Sequence, residues 1–166
     1  VGVAAFNQLA DRGEQTAELA RTVERVAHGL AAHGVERGGV ISCQLPNWNE
    51  FIIVFLAAIR LGAVVNPIPP IFRASELRFM LNRLESRVVV IPGTFRGFDH
   101  VAMLQALRPE VPRVEHVFVA RGTPGAGMLP FTTLTDTAWE ARPGRRGLPG
   151  SDPNEVNEVI FTSGTT

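Results

Sequence analysis

Short apolar runs alternate along this chain with longer stretches patterned like helices, and this alternation limits the fold more than any other feature. The runs lie at residues 40–45, 63–66, 87–91 and 115–119; the third holds four consecutive branched side chains, Val88, Val89, Val90 and Ile91. A strand that is apolar on both faces has no face for water, so these runs predict parallel strands covered on both sides. The segments between them predict helices over 17–33, 50–61, 75–84 and 100–107. In the first, Leu19, Val23, Val26, Ala27, Leu30 and Ala31 recur at helical spacing and form one apolar face. Thr16 is placed to cap it, and Gly34 suits the left-handed residue that ends such a helix. The second is apolar nearly all round, which predicts burial on most sides, and Gly62 closes it. Ser75 is the expected cap of the third, with Leu77, Met80, Leu81 and Leu84 inward. The expected class is therefore α/β, a mostly parallel sheet flanked by helices.

The chain has 166 residues, 45% of them hydrophobic, enough for one core and about one domain. It opens on Val1 and closes on Thr165 and Thr166, which suggests a piece of a longer protein. Sixteen basic residues balance sixteen acidic ones, so no global field draws nucleic acid or an anionic membrane. Every basic residue is Arg. With no Lys, a P-loop, Schiff-base or acyl-transfer lysine cannot lie in this stretch. Cys43, the only cysteine, cannot form an internal disulfide and sits in an apolar run, as a small buried hydrophobe does. Residues 51–72 carry one charge, Arg60, but Gly62, Pro67, Pro69 and Pro70 interrupt the ~20 residues a spanning helix needs. No transmembrane segment or signal peptide is expected, and the cytoplasm is the expected location.

From 120 to 153 the texture changes to a Gly- and Pro-rich connector with about one helical turn near 134–139. Residues 156–161 then resume as an apolar strand, which runs into Thr162, Ser163, Gly164, Thr165 and Thr166. Glycine lets backbone approach a ligand, successive N–H groups can wrap an anion, and hydroxyls add donors. Composition alone also allows an ordinary turn.

Other constellations fail. There is no GxxxxGK[ST], and the glycines of residues 122–127 have the wrong spacing for a dinucleotide loop. His28, His33, His100 and His116 form no metal-ligand pattern with Cys43; solvated or capping roles are expected for His28 and His33. Asp152, Glu155 and Glu158 read as a solvated approach to the last strand. Trp48 is expected to pack at the start of the second helix. Arg73 and Arg96 each follow a phenylalanine just beyond a strand end, where a surface salt bridge or a ligand contact is open to them.

The closing segment, IFTSGTT, resembles the start of the phosphate-binding signature of the adenylate-forming (AMP-binding) superfamily, which includes acyl- and aryl-CoA synthetases, peptide-synthetase adenylation domains and firefly-type luciferases. TAELARTVERVAHGLAAHGV, GGVISCQLPNWNEFIIVFLAAIRLGAVVNPI, IFRASELRFML, SRVVVIP and DPNEVNEVIFTSGTT resemble successive family segments in order, over nearly all of 1–166. Gly39-Val40 and Asn157-Glu158 depart from it at positions expected to be surface. The resemblance implies that 1–166 is the N-terminal part of the AMP-binding large domain, truncated within the phosphate loop before the Gly-x-Pro-Lys-Gly continuation.

What this implies is a two-step ligase using ATP, Mg2+ and coenzyme A, with a small carboxylic acid as substrate. Thr162, Ser163, Gly164, Thr165 and Thr166 would hold ATP phosphates, and Arg96 would contact coenzyme A. No catalytic residue and no metal ligand falls in this stretch, so the segment alone is expected to be inactive. The sequence around RLGAVVNPI and IFRASEL looks more like a stand-alone CoA ligase than a peptide-synthetase domain, which typically carries a tyrosine nearby; this chain has no Tyr. FMLNRLESRVVVIPGTFRGFDH further resembles cyclohexanecarboxylate-CoA ligases. A peptide-synthetase adenylation domain and a non-catalytic α/β binding module are the alternatives.

Overall fold

The computed structural model describes residues 14–142 and 147–162. Helix α1 spans Glu14–Ala32, β1 Val40–Cys43, α2 Asn49–Leu61, β2 Val64–Pro67, α3 Ala74–Arg83 and β3 Val88–Pro92. A small hairpin follows, β4 Thr94–Phe95 and β5 Phe98–Asp99, then α4 His100–Leu107 and β6 His116–Ala120. Strand β7 (Leu129–Pro130) and helix α5 (Thr132–Thr135) complete the elements, with single 3-10 turns at Arg108–Glu110 and Trp139–Ala141. The sheet order is β2-β1-β3-β6-β7, and every pairing in it is parallel.

Both faces of the sheet are buried, as the apolar strands require. Val88 and Val90 of β3, with Phe118 and Ala120 of β6, join Ile41, Cys43 and Val65 in a core under α1 and α2. The alternate residues Val89, Ile91, Val117 and Val119 join a second core under α3 and α4. Each fully buried Val or Leu contributes about 1.5–3 kcal/mol. The connection from β1 to β2 thus crosses one face and that from β2 to β3 the other. Crossovers of one hand that run in opposite directions along a sheet require this.

Several local expectations need correction. Helix α1 is already formed at Glu14, so Thr16 lies inside it rather than at its cap. Helix α3 begins at Ala74 with Arg73 as its N-cap, so Ser75 is internal; the Glu76 carboxylate accepts from the Arg73 N–H at 3.1 Å. Leu84 is only half-buried. Along α2, Phe51, Ile53, Phe55 and Leu56 are half-buried and Ile52 is 48% exposed, less cover than its composition predicts. His28 is buried beside Glu24 rather than solvated, while His33 Nδ1 meets the Gly29 carbonyl at 2.7 Å in a capping role.

The connector is more structured than its composition suggests. Phe131, Leu134 and Trp139 are buried, and the Trp139 indole donates to the Thr133 carbonyl at 2.8 Å. Arg25 of α1 holds the Glu140 carboxylate through Nε and Nη2 and donates to the Thr135 carbonyl. The expected glycine conformations hold: Gly34 (φ 81°) and Gly62 (φ 73°) are left-handed at helix ends. No helix among the described residues is long and apolar enough to cross a membrane.

Candidate functional site

The last apolar run forms one rung, not a full strand. The Val65 N–H donates to the Asn157 carbonyl, the Val159 N–H donates to the Val65 carbonyl, both at 2.9 Å, and Val65 bridges Glu158 in parallel. The next rung would need an N–H at residue 67, which faces the same edge. Residue 67 is proline and has none, so the ladder stops. Phe161 turns into the second core and meets Phe79 edge to face at 5.7 Å; Thr162 is exposed. Ser163, Gly164, Thr165 and Thr166 lie outside the described residues.

The approach to this rung is pinned from below. Arg37 pairs with Glu155 at 2.8 Å, and Arg60 Nη1 donates to the Leu148 carbonyl at 3.3 Å. Asp152 accepts the Asn154 N–H in a local turn, and Glu158 is exposed, so of the acidic run only Glu155 has an ion-pair partner among the described residues.

The loop after β2 shares the second core with this exit, through Ile68, Phe72 and Phe161. Its carbonyls are gripped by three side chains from three segments. Gln44, just past β1, donates from Nε2 to the carbonyls of Pro69 (3.3 Å) and Phe72 (2.9 Å). Arg73 Nη1 donates to those of Pro70 (2.8 Å) and Phe72 (3.0 Å). His100, at the start of α4, places Nε2 3.3 Å from the Pro70 carbonyl and Nδ1 3.2 Å from that of Phe98. Gln44 and His100 are both fully buried, and burial pushes the His100 pKa below its ordinary value. Sequence reasoning missed Gln44; its only signal was a polar residue after an otherwise apolar strand.

At the switch point between β1 and β3, the expected ligand crevice of an open α/β sheet, side chains pack across the gap. Trp48 meets Phe95 edge to face at 5.8 Å, and the Arg121 guanidinium lies 4.3 Å from the Trp48 ring. Arg121 also chelates Glu50 at 2.8 and 2.9 Å. Burial, the largest single influence on Glu50, opposes its ionisation, but the Arg121 hydrogen bond, a backbone hydrogen bond and the Arg121 charge together outweigh it, and its pKa is lowered from the ordinary value.

Arg73 and Arg96 lie beyond strand ends as the sequence indicates, but neither makes an ion pair among the described residues. Each stacks on a phenylalanine instead: Arg73 on Phe98 at 3.8 Å, Arg96 on Phe95 at 5.4 Å. Arg96 (φ 50°) and Gly97 (φ 75°) are the two turn residues of the β4–β5 hairpin, and Arg96 is exposed. Cys43 is buried, and burial pushes its thiol up to about 12.

Known proteins resemble this chain in sequence and fold. The chain is 29% identical over 143 residues to a medium-chain fatty-acid–CoA ligase of Escherichia coli (strain K12), covering 84% of this chain and 24% of that one. It is 30% identical over 154 residues to a salicyl-AMP ligase/salicyl-S-ArCP synthetase of Mycobacterium tuberculosis, covering 93% and 26%. The chain thus spans about a quarter of the length of these relatives. An anthranilate CoA ligase, AuaEII, solved with anthranoyl-AMP, shares the fold with a TM-score of 0.76 at 20% identity, over 91% of this chain and 27% of that one. The family model for AMP-binding enzymes matches residues 8–166, nearly the whole chain, and the chain belongs to that adenylate-forming family.

Proposed function

We propose that this chain is the N-terminal part of the large domain of an acyl-CoA synthetase, and that residues 162–166 hold the phosphates of ATP. The observation that carries the reading is the way the chain leaves the sheet. Paired to Val65 as far as Val159 and released by Pro67, it delivers Thr162 to the C-terminal end of a parallel sheet, where α/β folds bind ligands. The hydroxyl- and glycine-rich residues that follow are suited to wrap the β- and γ-phosphates.

In the reaction this implies, a carboxylate oxygen of the acid attacks the α-phosphorus of ATP. The bond to the α–β bridging oxygen breaks, and pyrophosphate leaves with the electron pair. A thiolate then attacks the acyl carbon and AMP departs. Fixed donors at the leaving phosphates stabilise charge that develops in the first step alone. Mg2+ supplies charge neutralisation when bound with ATP. Among the described residues no group of three or more His, Cys, Asp or Glu could hold a metal ion. In this reading Arg96, exposed on its hairpin turn, contacts a phosphate of coenzyme A, and residues 120–153 are a connector within the domain. The absence of Tyr favours coenzyme A over a carrier-protein thiol as acceptor.

The full-length protein should catalyse ATP–pyrophosphate exchange with hexanoate or cyclohexanecarboxylate at least about tenfold better, in kcat/KM, than with leucine or phenylalanine. It should then form the thioester with coenzyme A. A tenfold preference for an amino acid, or transfer only to a carrier protein, would make it a peptide-synthetase domain. Residues 1–166 alone should release no pyrophosphate above a no-protein control, since the family's catalytic lysine is not among them. Absence of exchange with every acid tested would leave the non-catalytic binding module.

A further inference from the structure

We propose that Gln44 and His100 are positioning residues, which fix the Pro69–Phe72 loop as the wall beside which the phosphate loop begins at Thr162. The proposal rests on the ligase reading for its effect on rate, but not for its geometry. Val65 and Glu158 share a rung in parallel, and Pro69 and Thr162 each stand four residues beyond it along their own segments. With no further rung to hold the two segments together, their spacing depends on what grips each one. Phe161 and Phe72 both pack against the second core, which ties the exit to the loop from beneath.

The grip on the loop is unusually dense. Pro69 and Pro70 have no N–H, and the Phe72 N–H is used within the loop, on the Pro69 carbonyl at 3.0 Å, so the loop meets the rest of the fold largely through carbonyls. Three of these, at Pro69, Pro70 and Phe72, meet donors from Gln44, Arg73 and His100. Gln44 Nε2 spans two of them. Proline fixes φ at two consecutive positions, and a fully buried amide and a fully buried imidazole then fix where the loop sits. They reach carbonyls of an exposed turn, with Pro69 exposed and Ile71 75% exposed, at the ligand end of the sheet. This is the position of a support that sets the geometry of a neighbouring binding loop.

A neutral imidazole has one N–H and serves one of its two carbonyls at a time. The bond to Pro70 needs the proton on Nε2, the nitrogen whose reach a glutamine amide approximates. Asparagine is shorter and approximates Nδ1, which faces the Phe98 carbonyl. The two substitutions therefore separate the grip on the loop from the contact with the hairpin.

The test uses the full-length protein with Gln44→Met, His100→Leu, His100→Gln and His100→Asn. Hydrogen exchange is followed in peptides covering 157–166, and the adenylation and thioester half-reactions are timed separately. Gln44→Met and His100→Leu should speed exchange at 157–166 while β3 and β6 stay protected. They should also slow adenylation by about tenfold or more, as loss of positioning does. The thioester step, from preformed acyl-adenylate, should change less than about threefold, since pyrophosphate has already left. His100→Gln should recover most of the loss and His100→Asn should not. Unchanged exchange at 157–166, exchange rising equally across the sheet, or equal loss in both half-reactions would each overturn the proposal. If Gln44→Met or His100→Leu fails to fold, Arg73→Ala, at an exposed residue gripping two of the same carbonyls, takes their place with the same readouts. If the parent protein catalyses no pyrophosphate exchange, the ligase reading fails, and exchange at 157–166 alone decides whether these residues hold the loop.

Discussion

Gly93 and Gly122 lie back to back where the chain leaves β3 and β6: a Cβ on Gly93 would stand 2.7 Å from the Gly122 Cα, and one on Gly122 would stand 2.6 Å from the Gly93 Cα. The Gly93 N–H donates to the Ala120 carbonyl at 2.9 Å, which holds the two strand ends together. The hairpin that carries Phe95 and Arg96 follows at once, so its seat depends on this close approach.

Gly93→Ala should therefore destabilise the protein. The obstruction is backbone, not a side-chain end that can swing away, and overpacking of this kind costs about 1–3 kcal/mol. Gly147→Ala is the control, because its Cβ would meet nothing within 4 Å. Denaturant melts of the two variants should differ by that amount. Equal stabilities would mean the strand ends separate freely.

Pro67→Val should add the rung that proline withholds. The new N–H would face the Val159 carbonyl, and the Phe161 N–H could then reach the carbonyl of residue 67. Amide exchange at Phe161 should slow. Because Thr162 follows directly, adenylation should slow as well, by roughly tenfold if the phosphate loop is displaced. Unchanged exchange at Phe161 would show that something other than Pro67 ends the pairing.

His100 and His116 both have pKa values pushed below 6.5, chiefly by burial. For His116, the neighbouring His33 pushes the same way, its ring 4.9 Å off. The unfolded chain therefore binds protons at higher pH than the folded one, and stability falls as pH drops through 6.5 toward the folded values. Glu50 and Glu140, whose pKa values lie below 4.5, lose their contribution only at lower pH, so the two ranges separate. The melting temperature should drop from about pH 7 to about pH 5.5, and His100→Gln/His116→Gln should flatten that slope. A slope that survives both substitutions would place the titration elsewhere.

How much was legible follows from which interactions are local. Helices α1 to α4 and strands β1, β2, β3 and β6 come from periodicity and apolar runs, and each lies within about three residues of its expected bounds. The β4–β5 hairpin was not legible: its turn is Arg96-Gly97, and Arg at positive φ lacks the Asn or Asp signature of such turns. The strand expected over 156–161 shrinks to one rung because the residue that ends it, Pro67, lies on another strand far away in sequence. Burial of Gln44 and His100 was hidden for the same reason, since the carbonyls that satisfy them come from elsewhere in the chain. The connector looked irregular because its order rests on contacts with α1, such as Arg25 with Glu140.

Cys43 should resist alkylation in the native state. Its thiol is buried, and a pKa of about 12 leaves almost no thiolate near neutral pH. Labelling should become rapid only in denaturant. Fast labelling of the folded protein would mean that the core under α1 and α2 opens readily.

Thr165→Val and Thr166→Val in the full-length protein test the phosphate assignment itself. Phe161 contributes packing against the second core, whereas hydroxyls beyond the exposed Thr162 are expected to face solvent or ligand. Losing a charge-assisted hydrogen bond to phosphate costs about 1.5–3 kcal/mol. If that bond is made mainly in the transition state, adenylation should slow by roughly 10- to 150-fold. Losing an exposed hydroxyl should change folding stability by less than about 0.5 kcal/mol, leaving the melting temperature nearly unchanged. The thioester step from preformed acyl-adenylate should suffer less, because the β- and γ-phosphates have already departed as pyrophosphate. Single-turnover measurements separate the two steps. Equal loss in both, or a collapsed melting temperature with normal adenylation, would make residues 162–166 a structural turn rather than a phosphate loop.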